Sequence, residues 1–413
     1  MTVSSVTGGI RTGWRTPAVV LVCGCIIAMV SFGPRSALGF FLTPMSQEFH
    51  WGRDVFSMAL AIQNLLWGLG QPFAGGLADR YGADRVLVAG TLLYAAGLAL
   101  MAYSTNGAML DLSAGLLIGF GLSGCSFTIV LGAFGRLLPP EWRSLAFGAG
   151  TAAGSFGQFL YSPVAVALID QFGWKGAALA FAAVTLIIVP LAMALASPRS
   201  KAQAAAPVPA QSFRQAIGEA FAHRSYVLLV IGFFTCGFQL AFTTVHLPSY
   251  LIDRGLSAEV GGWTLATIGL FNIIGSVTSG YLGARMPKRY ILSIIYFARA
   301  ASILVFIAMP PSTTTTLVFG AVTGLLWLST VPPTSGLVAT MFGTQWLAML
   351  FGFAFFSHQV GGFLGVWLGG LVYDYAGSYN PVWYLSIFFG VMSAIINLPI
   401  REQPVVRAAA AAA

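Results

Sequence analysis

Charge is what this sequence has least of. Only 8% of its 413 residues are Asp, Glu, Lys or Arg, whereas a soluble domain carries roughly 25%. Hydrophobic residues make up 57% of the chain, far more apolar surface than one core can bury. This composition excludes a soluble enzyme and a disordered protein. It predicts a polytopic membrane protein, with room for roughly a dozen helices at about 20 residues per span.

Cysteine is also scarce, and every cysteine falls inside a predicted span. The four are Cys23, Cys25, Cys125 and Cys236, which we expect to be reduced and inert rather than paired or metal-bound. The chain has no phosphate-binding P-loop motif, which disfavours an ATP-driven pump. It also has no Met or His pairs one helical turn apart, which a copper importer would need. We therefore expect no metal, no cofactor and no catalytic residue.

Apolar runs long enough to cross the hydrocarbon recur along the whole chain. They are continuous rather than alternating, which indicates helices and not barrel strands. The predicted spans are 17–46, 55–78, 86–104, 112–136, 145–169, 176–196, 225–251, 259–283, 291–309, 315–340, 347–372 and 381–398. The sequence thus predicts an all-α membrane protein with twelve transmembrane helices.

The basic residues are distributed unevenly between the loops. Fifteen of the twenty Lys and Arg fall in alternate loops, on the side of both termini, and only Arg53, Lys175 and Arg254 fall in the opposite loops. By the positive-inside rule, both termini are expected in the cytoplasm, with the protein in the inner (plasma) membrane. The net charge of +8 then labels topology, so no nucleic-acid partner is expected.

The two halves of the chain repeat each other at one constant offset. A shift of 204 residues superimposes Pro44 on Pro248, Gly76 on Gly280, Arg85 on Arg289, Gly132 on Gly336, Gly148 on Gly352, Asp170 on Asp374 and Gly173 on Gly377. This pattern predicts two parallel six-helix bundles related by an axis along the membrane normal. We place the N-terminal bundle at 1–196, a cytoplasmic linker at 197–224, the C-terminal bundle at 225–400 and a cytoplasmic tail at 401–413.

The loop after the second span contains a motif, Gly76-Leu77-Ala78-Asp79-Arg80-Tyr81-Gly82 followed by Arg85. It resembles the signature of the major facilitator superfamily, and the resemblance extends over the full chain. The second copy is degenerate, with Gly283 at the position of Asp79. The resemblance implies a transporter that works by alternating access, in which Asp79 pairs with an arginine or a helix terminus to latch the outward-open state. It implies gating roles for Gly76, Asp79, Arg80, Arg85 and Arg289.

Two further segments resemble the branch of monocarboxylate transporters and oxalate/formate antiporters. One is Phe32-Gly33-Pro34-Arg35-Ser36 in the first span. The other is Phe351-Gly352-Phe353 followed by His358 in the eleventh, where the antiporters carry a membrane lysine. Both branches also carry an arginine in the eighth helix, at the position of Ser276. The partner acid of the monocarboxylate branch corresponds to Asn272.

The predicted spans contain cations but no acid at mid-membrane. All twelve Asp and Glu lie in loops or near helix ends, whereas Arg35, Arg299, His246 and His358 lie within spans. An ionisable side chain at mid-membrane costs on the order of 2.5–3.5 kcal/mol and needs a partner or a wet cavity. We therefore expect the missing anion to be the substrate.

Arg35 is the first candidate for binding that anion. It follows Pro34, which lets a helix bend towards a cavity, and a guanidinium can hold a carboxylate through two hydrogen bonds. The alternative is an arginine that reaches the membrane surface. His358 is expected to bind the anion and carry the coupled proton, or else to be a neutral histidine bonded between helices. His246 is expected to face Arg35 across the cavity and to share the proton coupling, or else to make a structural contact.

Weaker candidates surround these residues. Gln239, Gln158, Tyr161 and Asn272 are polar groups expected to point into the cavity. Arg299 lies at the centre of the ninth span and is a further substrate candidate. For Arg299 we favour a structural arginine bonded to carbonyls of a neighbouring helix.

These observations favour a secondary transporter of a small organic anion, a monocarboxylate above all, by proton symport or anion exchange. Uniport remains an alternative, because proton relays commonly use an intramembrane acid and the predicted spans contain none at mid-membrane. The alternative is a multidrug or toxic-compound exporter of the same fold. The lack of a membrane acid, and of a Gly-Pro signature on the fifth helix, disfavours it. The expected partners are the anion, protons or a counter-anion, and the bilayer, with the protein monomeric.

Overall fold

The computed structural model describes residues 14–50, 53–196 and 211–405. These residues are almost entirely helical, and no strand occurs among them. The helices are α1 Pro17–Ala37, α2 Leu42–Phe49, α3 Arg53–Tyr81, α4 Ala83–Met101, α5 Gly107–Leu110, α6 Ile118–Cys125, α7 Phe127–Leu137, α8 Pro140–Thr185, α9 Ile188–Ala192, α10 Phe213–Ala222, α11 Arg224–Asp253, α12 Ala258–Gly283, α13 Lys288–Ala308, α14 Thr313–Leu326, α15 Val331–Phe342, α16 Leu347–Ala376 and α17 Asn380–Asn397.

The helices account for the predicted spans. Ten stretches of the described residues are long and apolar enough to cross a membrane. The other two predicted spans lie in α3, which has 29 residues, and in the part of α8 before Gly173. The result is an all-α fold of twelve spans in two six-helix bundles.

Several predicted spans are interrupted. The first helix ends at Ala37 instead of 46, and the fourth span is broken at Ser126, whose backbone is extended. The tenth span consists of α14 and α15, separated by residues 327–330. Pro332 and Pro333 explain that break, because neither has an N–H to donate to the preceding turn.

The repeat reappears in the backbone. Gly173 bends α8 with a φ of 68°, and Gly377 ends α16 with a φ of 64°. Only glycine adopts positive φ without a steric cost, and these two positions are related by the offset found in the sequence. Each marks the end of the fifth span of its half.

The two halves cross most closely at the end of the molecule that carries the Asp79 loop, which we call the motif end. There α3 crosses α16, and a Cβ on Gly352 would lie 2.9 Å from the Pro72 Cα. At the crossing of α8 and α12, a Cβ on Gly148 would lie 3.0 Å from the Gly280 Cα. Glycine permits this approach of two backbones, and Gly148 and Gly352 are repeat-related.

The boundaries of the two bundles stay a prediction. Residues 197–210 of the predicted linker lie outside the described residues, and α10 belongs to its remainder. Residues 406–413 of the predicted tail also lie outside them.

Candidate functional site

Arg35 lies near the end of α1, beside the face of α3 that meets α16 of the other half. Its side chain is half-buried, and Nη2 donates a hydrogen bond to Oδ1 of Asn64 on α3. The guanidinium carbon lies 5.0 Å from the Trp67 ring centroid and 5.6 Å from that of Phe32. Among the described residues, Arg35 forms no ion pair with a carboxylate. Within the described part of the chain its neighbours are a neutral amide, the faces of aromatic rings and the buried Tyr94 of α4, none of them a carboxylate.

Aromatic residues of both halves form a wall beside Arg35. Trp67 packs against Phe355 of α16 with 4.9 Å between ring centroids, and Phe127 of α7 packs edge-on against Phe355 at 5.7 Å. Trp67, Phe127 and Phe355 are buried, whereas Phe32 is half-buried. The wall closes the space between the bundles on the motif-end side.

His358 adds a titratable group from the C-terminal half. Its ring stacks on Phe355 at 5.5 Å, and Nδ1 lies 3.2 Å from Gln359 Oε1. Gln359 Nε2 donates across the interface to the Asn64 backbone carbonyl at 3.3 Å. Because an amide oxygen only accepts, this arrangement assigns the proton to Nδ1 of His358. Asn64 therefore links Arg35 of one half to the His358–Gln359 pair of the other.

A second polar cluster lies behind His358, buried in the C-terminal half. The Cys236 thiol is within hydrogen-bonding reach of His358 and lies 3.3 Å from Thr330 Oγ1. Arg299 donates from Nε and Nη2 to the Leu326 carbonyl at 3.0 and 2.5 Å, and from Nη2 to the Trp327 carbonyl. These carbonyls belong to the break between α14 and α15, so the guanidinium satisfies backbone groups that lack helical partners.

Gln239 and Asn272 both make structural hydrogen bonds through the oxygen and the nitrogen of their side-chain amides. Gln239 accepts from Arg299 at 3.4 Å and donates to the Ser386 carbonyl at 2.9 Å. Asn272 donates to Ser155 Oγ at 2.7 Å, and its Oδ1 accepts from the Leu328 N–H at 3.0 Å. Asn272 thus joins the halves and holds the other side of the helix break.

The other three predicted residues lie on α11 and α8, and Tyr161 shares the neighbour Tyr94 with Arg35. His246 Nε2 lies 2.9 Å from the Val366 carbonyl, and its ring packs between Phe242 and Tyr379. These contacts tie α11 to α16 and to the turn before α17. They correspond to the structural contact that the sequence analysis gave as the alternative role of His246. Tyr161 is buried against Gly33, where a Cβ would lie 2.3 Å from the tyrosine ring. Gln158 is half-buried on α8.

The predicted gating residues cluster at the motif end. Buried Asp79 pairs with Arg136 of α7, and its Oδ2 accepts from the Met349 N–H at 2.8 Å, in the first turn of α16. The predicted pairing with an arginine and a helix terminus is therefore present. Gly76 packs against Phe213, with room for no Cβ.

The remaining basic gating candidates differ in their surroundings. The Arg80 guanidinium lies over the Tyr81 ring at 5.2 Å, whereas Arg85 is exposed. The Arg289 backbone N–H donates to Glu402 Oε1 at 2.8 Å, and its side chain to the Ile400 carbonyl at 3.3 Å.

Sequence reasoning did not single out Asn64 or Trp67. Both lie on one face of α3 together with Gln71, since spacings of three and four residues align on a helix. The available signal was a row of polar and aromatic residues at helical spacing, Asn64, Trp67 and Gln71, within a span of mostly apolar residues.

Twelve apolar helices in two bundles, with a polar site contributed by both, define a membrane transport protein. The chain belongs to the major facilitator superfamily, whose family model matches residues 24–365 and 253–413.

Similar proteins span nearly the whole chain. An uncharacterised transporter of this superfamily from Bacillus subtilis, YcxA, is 28% identical over 94% of this chain and 96% of its own length. Human monocarboxylate transporter 11 is 25% identical over 91% of this chain and 80% of its own. The crystal structure of the transporter FucP in the outward conformation matches 91% of this chain and 97% of its own, with a TM-score of 0.71 at 17% identity. The structure of the proton:xylose symporter XylE bound to a glucose derivative matches 94% of this chain and 96% of its own, with a TM-score of 0.71 at 13% identity.

Proposed function

We propose that this protein is a secondary transporter that carries a small organic anion, in the first instance a monocarboxylate, by alternating access. The observation that carries the proposal is Arg35, a half-buried guanidinium beside the contact of α3 with α16, whose hydrogen-bond partner is the neutral Asn64. A cation within a membrane pairs with an acid, bonds backbone carbonyls as Arg299 does, or faces a wet cavity, and among the described residues Arg35 bonds neither an acid nor a backbone carbonyl. A substrate carboxylate supplies the counter-charge, and the monocarboxylate transporters named among the relatives support this substrate class.

The surroundings of Arg35 suit a short carboxylate with an apolar body. The guanidinium can bind the carboxylate through two parallel hydrogen bonds. The wall of Trp67, Phe127 and Phe355 is apolar and within reach of the same space. A site of this kind combines a large aromatic surface with few polar groups that set orientation.

His358 is the proposed coupling group. Its ring is half-buried and linked to Arg35 through Gln359 and Asn64. Protonation of the imidazole offsets the negative charge of the substrate, and release of that proton restores the neutral ring. Proton symport follows from this cycle, and anion exchange is the variant in which a second anion takes the role of the proton. We do not assign coupling to His246, because its contacts with Val366, Phe242 and Tyr379 lie within the C-terminal half and do not link it to Arg35.

We place the motif end in the cytoplasm of a cell with the transporter in its inner membrane, both termini inside and the protein monomeric. The excess of basic residues in the loops on that side supports this orientation. The contacts between the bundles run from Gly75 and Ala348 to Asn64 and Gln359, so the conformation is closed at the motif end. By the alternating-access scheme, we propose that the site opens to the outside in this conformation.

The first test is binding to the purified full-length protein. We expect acetate, lactate or pyruvate to raise the thermal unfolding temperature, and the matched neutral amides, such as lactamide, to leave it unchanged. Arg35→Gln should weaken carboxylate binding by at least tenfold, because a charge-assisted hydrogen bond contributes about 1.5–3 kcal/mol. Arg35→Lys should retain part of the affinity, since it keeps the charge but not the planar fork.

Arg80→Gln is the control, because it removes one positive charge far from the aromatic wall. If Arg35→Gln binds carboxylates as tightly as the parent, the anion-site proposal is wrong. Uptake into proteoliposomes then separates the coupling schemes: symport requires a pH gradient, and exchange requires anion inside the vesicle. Uptake that depends on neither would leave uniport.

A further inference from the structure

A basic cavity at the motif end lies outside the proposed transport path. It has a volume of about 500 Å³ and is formed by the turn between α12 and α13 together with the segment after α17. Four cations line it, Arg285, Lys288, Arg289 and Arg401, with one carboxylate, Glu402. The volume is within the usual range of ligand sites, roughly 300–1,000 Å³.

The carboxylate in the cavity is already engaged. Glu402 Oε1 accepts from the Arg289 N–H at 2.8 Å, in the first turn of α13. Arg289 is also held in place, with its side chain bonded to the Ile400 carbonyl and to Tyr290. Arg285, Lys288 and Arg401 form no ion pair within the described residues. The cavity therefore has an excess of positive charge directed at one concave surface.

The other copy of the repeat shows that this excess is specific to the second half. In the first half, the corresponding turn carries Asp79 and Asp84, and Asp79 pairs with Arg136. At the repeat-related positions, the second half has Gly283 and Lys288. Both acids have been replaced, one by a residue without a side chain and one by a cation. The positive-inside rule accounts for basic residues on this side of the membrane. It does not account for the absence of acids at these two positions beside the cavity.

The cavity also lies at the level where the membrane surface is expected. The Arg285 guanidinium lies 3.6 Å from the centroid of the Tyr281 ring, and Tyr281 and Tyr290 are both exposed. Exposed tyrosines mark the interface of a bilayer with water. Basic pockets at this level bind the head groups of anionic lipids.

We propose that this cavity binds a phosphate group through Arg285, Lys288 and Arg401, and that the phosphate is carried by the head group of an anionic phospholipid. Arginine matches phosphate oxygens with two parallel hydrogen bonds, and lysine adds a point charge. The Lys288 side chain also contacts α15, since a Cβ on Gly336 would lie 2.8 Å from Lys288 Cε. A bound head group therefore lies against the turn between α12 and α13, the segment after α17, and a side chain that touches α15.

The experiment uses the purified full-length protein in a neutral detergent. The unfolding temperature is followed during titration with dioctanoyl phosphatidylglycerol, dioctanoyl phosphatidylcholine or inorganic phosphate. We expect saturable stabilisation by phosphatidylglycerol that exceeds the effect of phosphatidylcholine. Arg285→Gln and Lys288→Gln should each weaken the apparent affinity about fivefold, and the double variant should bind more weakly than either.

Arg254→Gln is the matched control, because Arg254 is also an exposed arginine over a tyrosine ring, at 5.4 Å from Tyr250. It should bind phosphatidylglycerol like the parent. Native mass spectrometry of the same variants gives a second readout, the number of retained lipids.

Equal stabilisation by the two lipids would overturn the assignment to an anionic head group. Equal binding by the parent and the double variant would overturn the site itself. If inorganic phosphate alone stabilises the protein with the same dependence on Arg285 and Lys288, the phosphate site stands and its ligand is soluble.

Discussion

The contact between Asp79 and the first turn of α16 leads to a quantitative prediction for Asp79→Asn. The Arg136 pair lies within one half, because α3 and α7 belong to the same bundle. It persists when the bundles separate at the motif end, so it does not distinguish the two conformations. The bond from the Met349 N–H at 2.8 Å crosses between the halves, and it exists only while this end is closed.

The size of the effect follows from this crossing interaction, to which the Ala348 backbone also contributes. A hydrogen bond to a charged group contributes about 1.5–3 kcal/mol and a neutral one about 0.5–1.5 kcal/mol. The charge also interacts with the N-terminus of α16, which adds about 0.3–1 kcal/mol. Asn keeps the shape and one acceptor but loses the charge. We expect Asp79→Asn to shift the ratio of closed to open motif ends by about 2 kcal/mol, or roughly thirtyfold.

The shift can be measured by double electron–electron resonance, which gives the distribution of distances between spin labels at Met58 and Tyr375. Both positions are exposed, on α3 and α16 at the end opposite the motif. Opening of the motif end brings these positions together, so the short-distance population should increase in Asp79→Asn. Asp84→Asn, which makes the same substitution five residues further on, where no bond to the other half occurs among the described residues, should resemble the parent. A ratio that changes less than threefold in Asp79→Asn would refute the latch.

Three further predictions concern stability. Arg299→Met should lower the free energy of unfolding by about 2–4 kcal/mol, because it leaves two carbonyls of the helix break without donors; equal unfolding temperatures of variant and parent would contradict this role. Gly237→Ala should prevent α11 from packing on α16, because the alanine Cβ would lie 1.7 Å from the His358 carbonyl oxygen. If the variant is monodisperse and still binds carboxylates, the crossing tolerates a methyl group and the prediction is wrong. Hydrogen bonds from Lys175 and Trp174 lower the pKa of Glu48, so its ionised form favours the folded state. Glu48→Gln should therefore unfold slightly below the parent at pH 7, and the difference should vanish as the pH falls below about 4; a difference that persists at low pH would exclude the carboxylate as its source.

The twelve spans were predictable because each is a long apolar run, and hydropathy reports such runs directly. The break at residues 327–330 was not predicted, although Pro332 and Pro333 were visible. A proline in a membrane helix is tolerated when neighbours satisfy the freed backbone, and here those neighbours are Arg299 and Asn272. Their contribution depends on tertiary packing, which no local pattern encodes.

The same limit applies to the site. Scarcity of charge was enough to identify Arg35 and His358 as unusual residues. It did not reveal Asn64 as the group between them, because that link depends on how α3 and α16 meet. For His246, the sequence gives the height along α11 but not the rotation of the helix about its axis. In the fold, that rotation turns His246 towards the Val366 carbonyl.

The two crossings that close the motif end are chemically unequal. Between α3 and α16 the closure includes a charged group at a helix terminus, whereas between α8 and α12 it includes a neutral bond from Ser144 Oγ to the Gly280 carbonyl at 2.7 Å. We therefore expect the crossing of α3 with α16, the strong edge of the closed end, to be more stable than the crossing of α8 with α12, its weak edge. We expect separation to start at the weak edge and to pivot on the strong one, so that solute leaves first along the seam between α8 and α12.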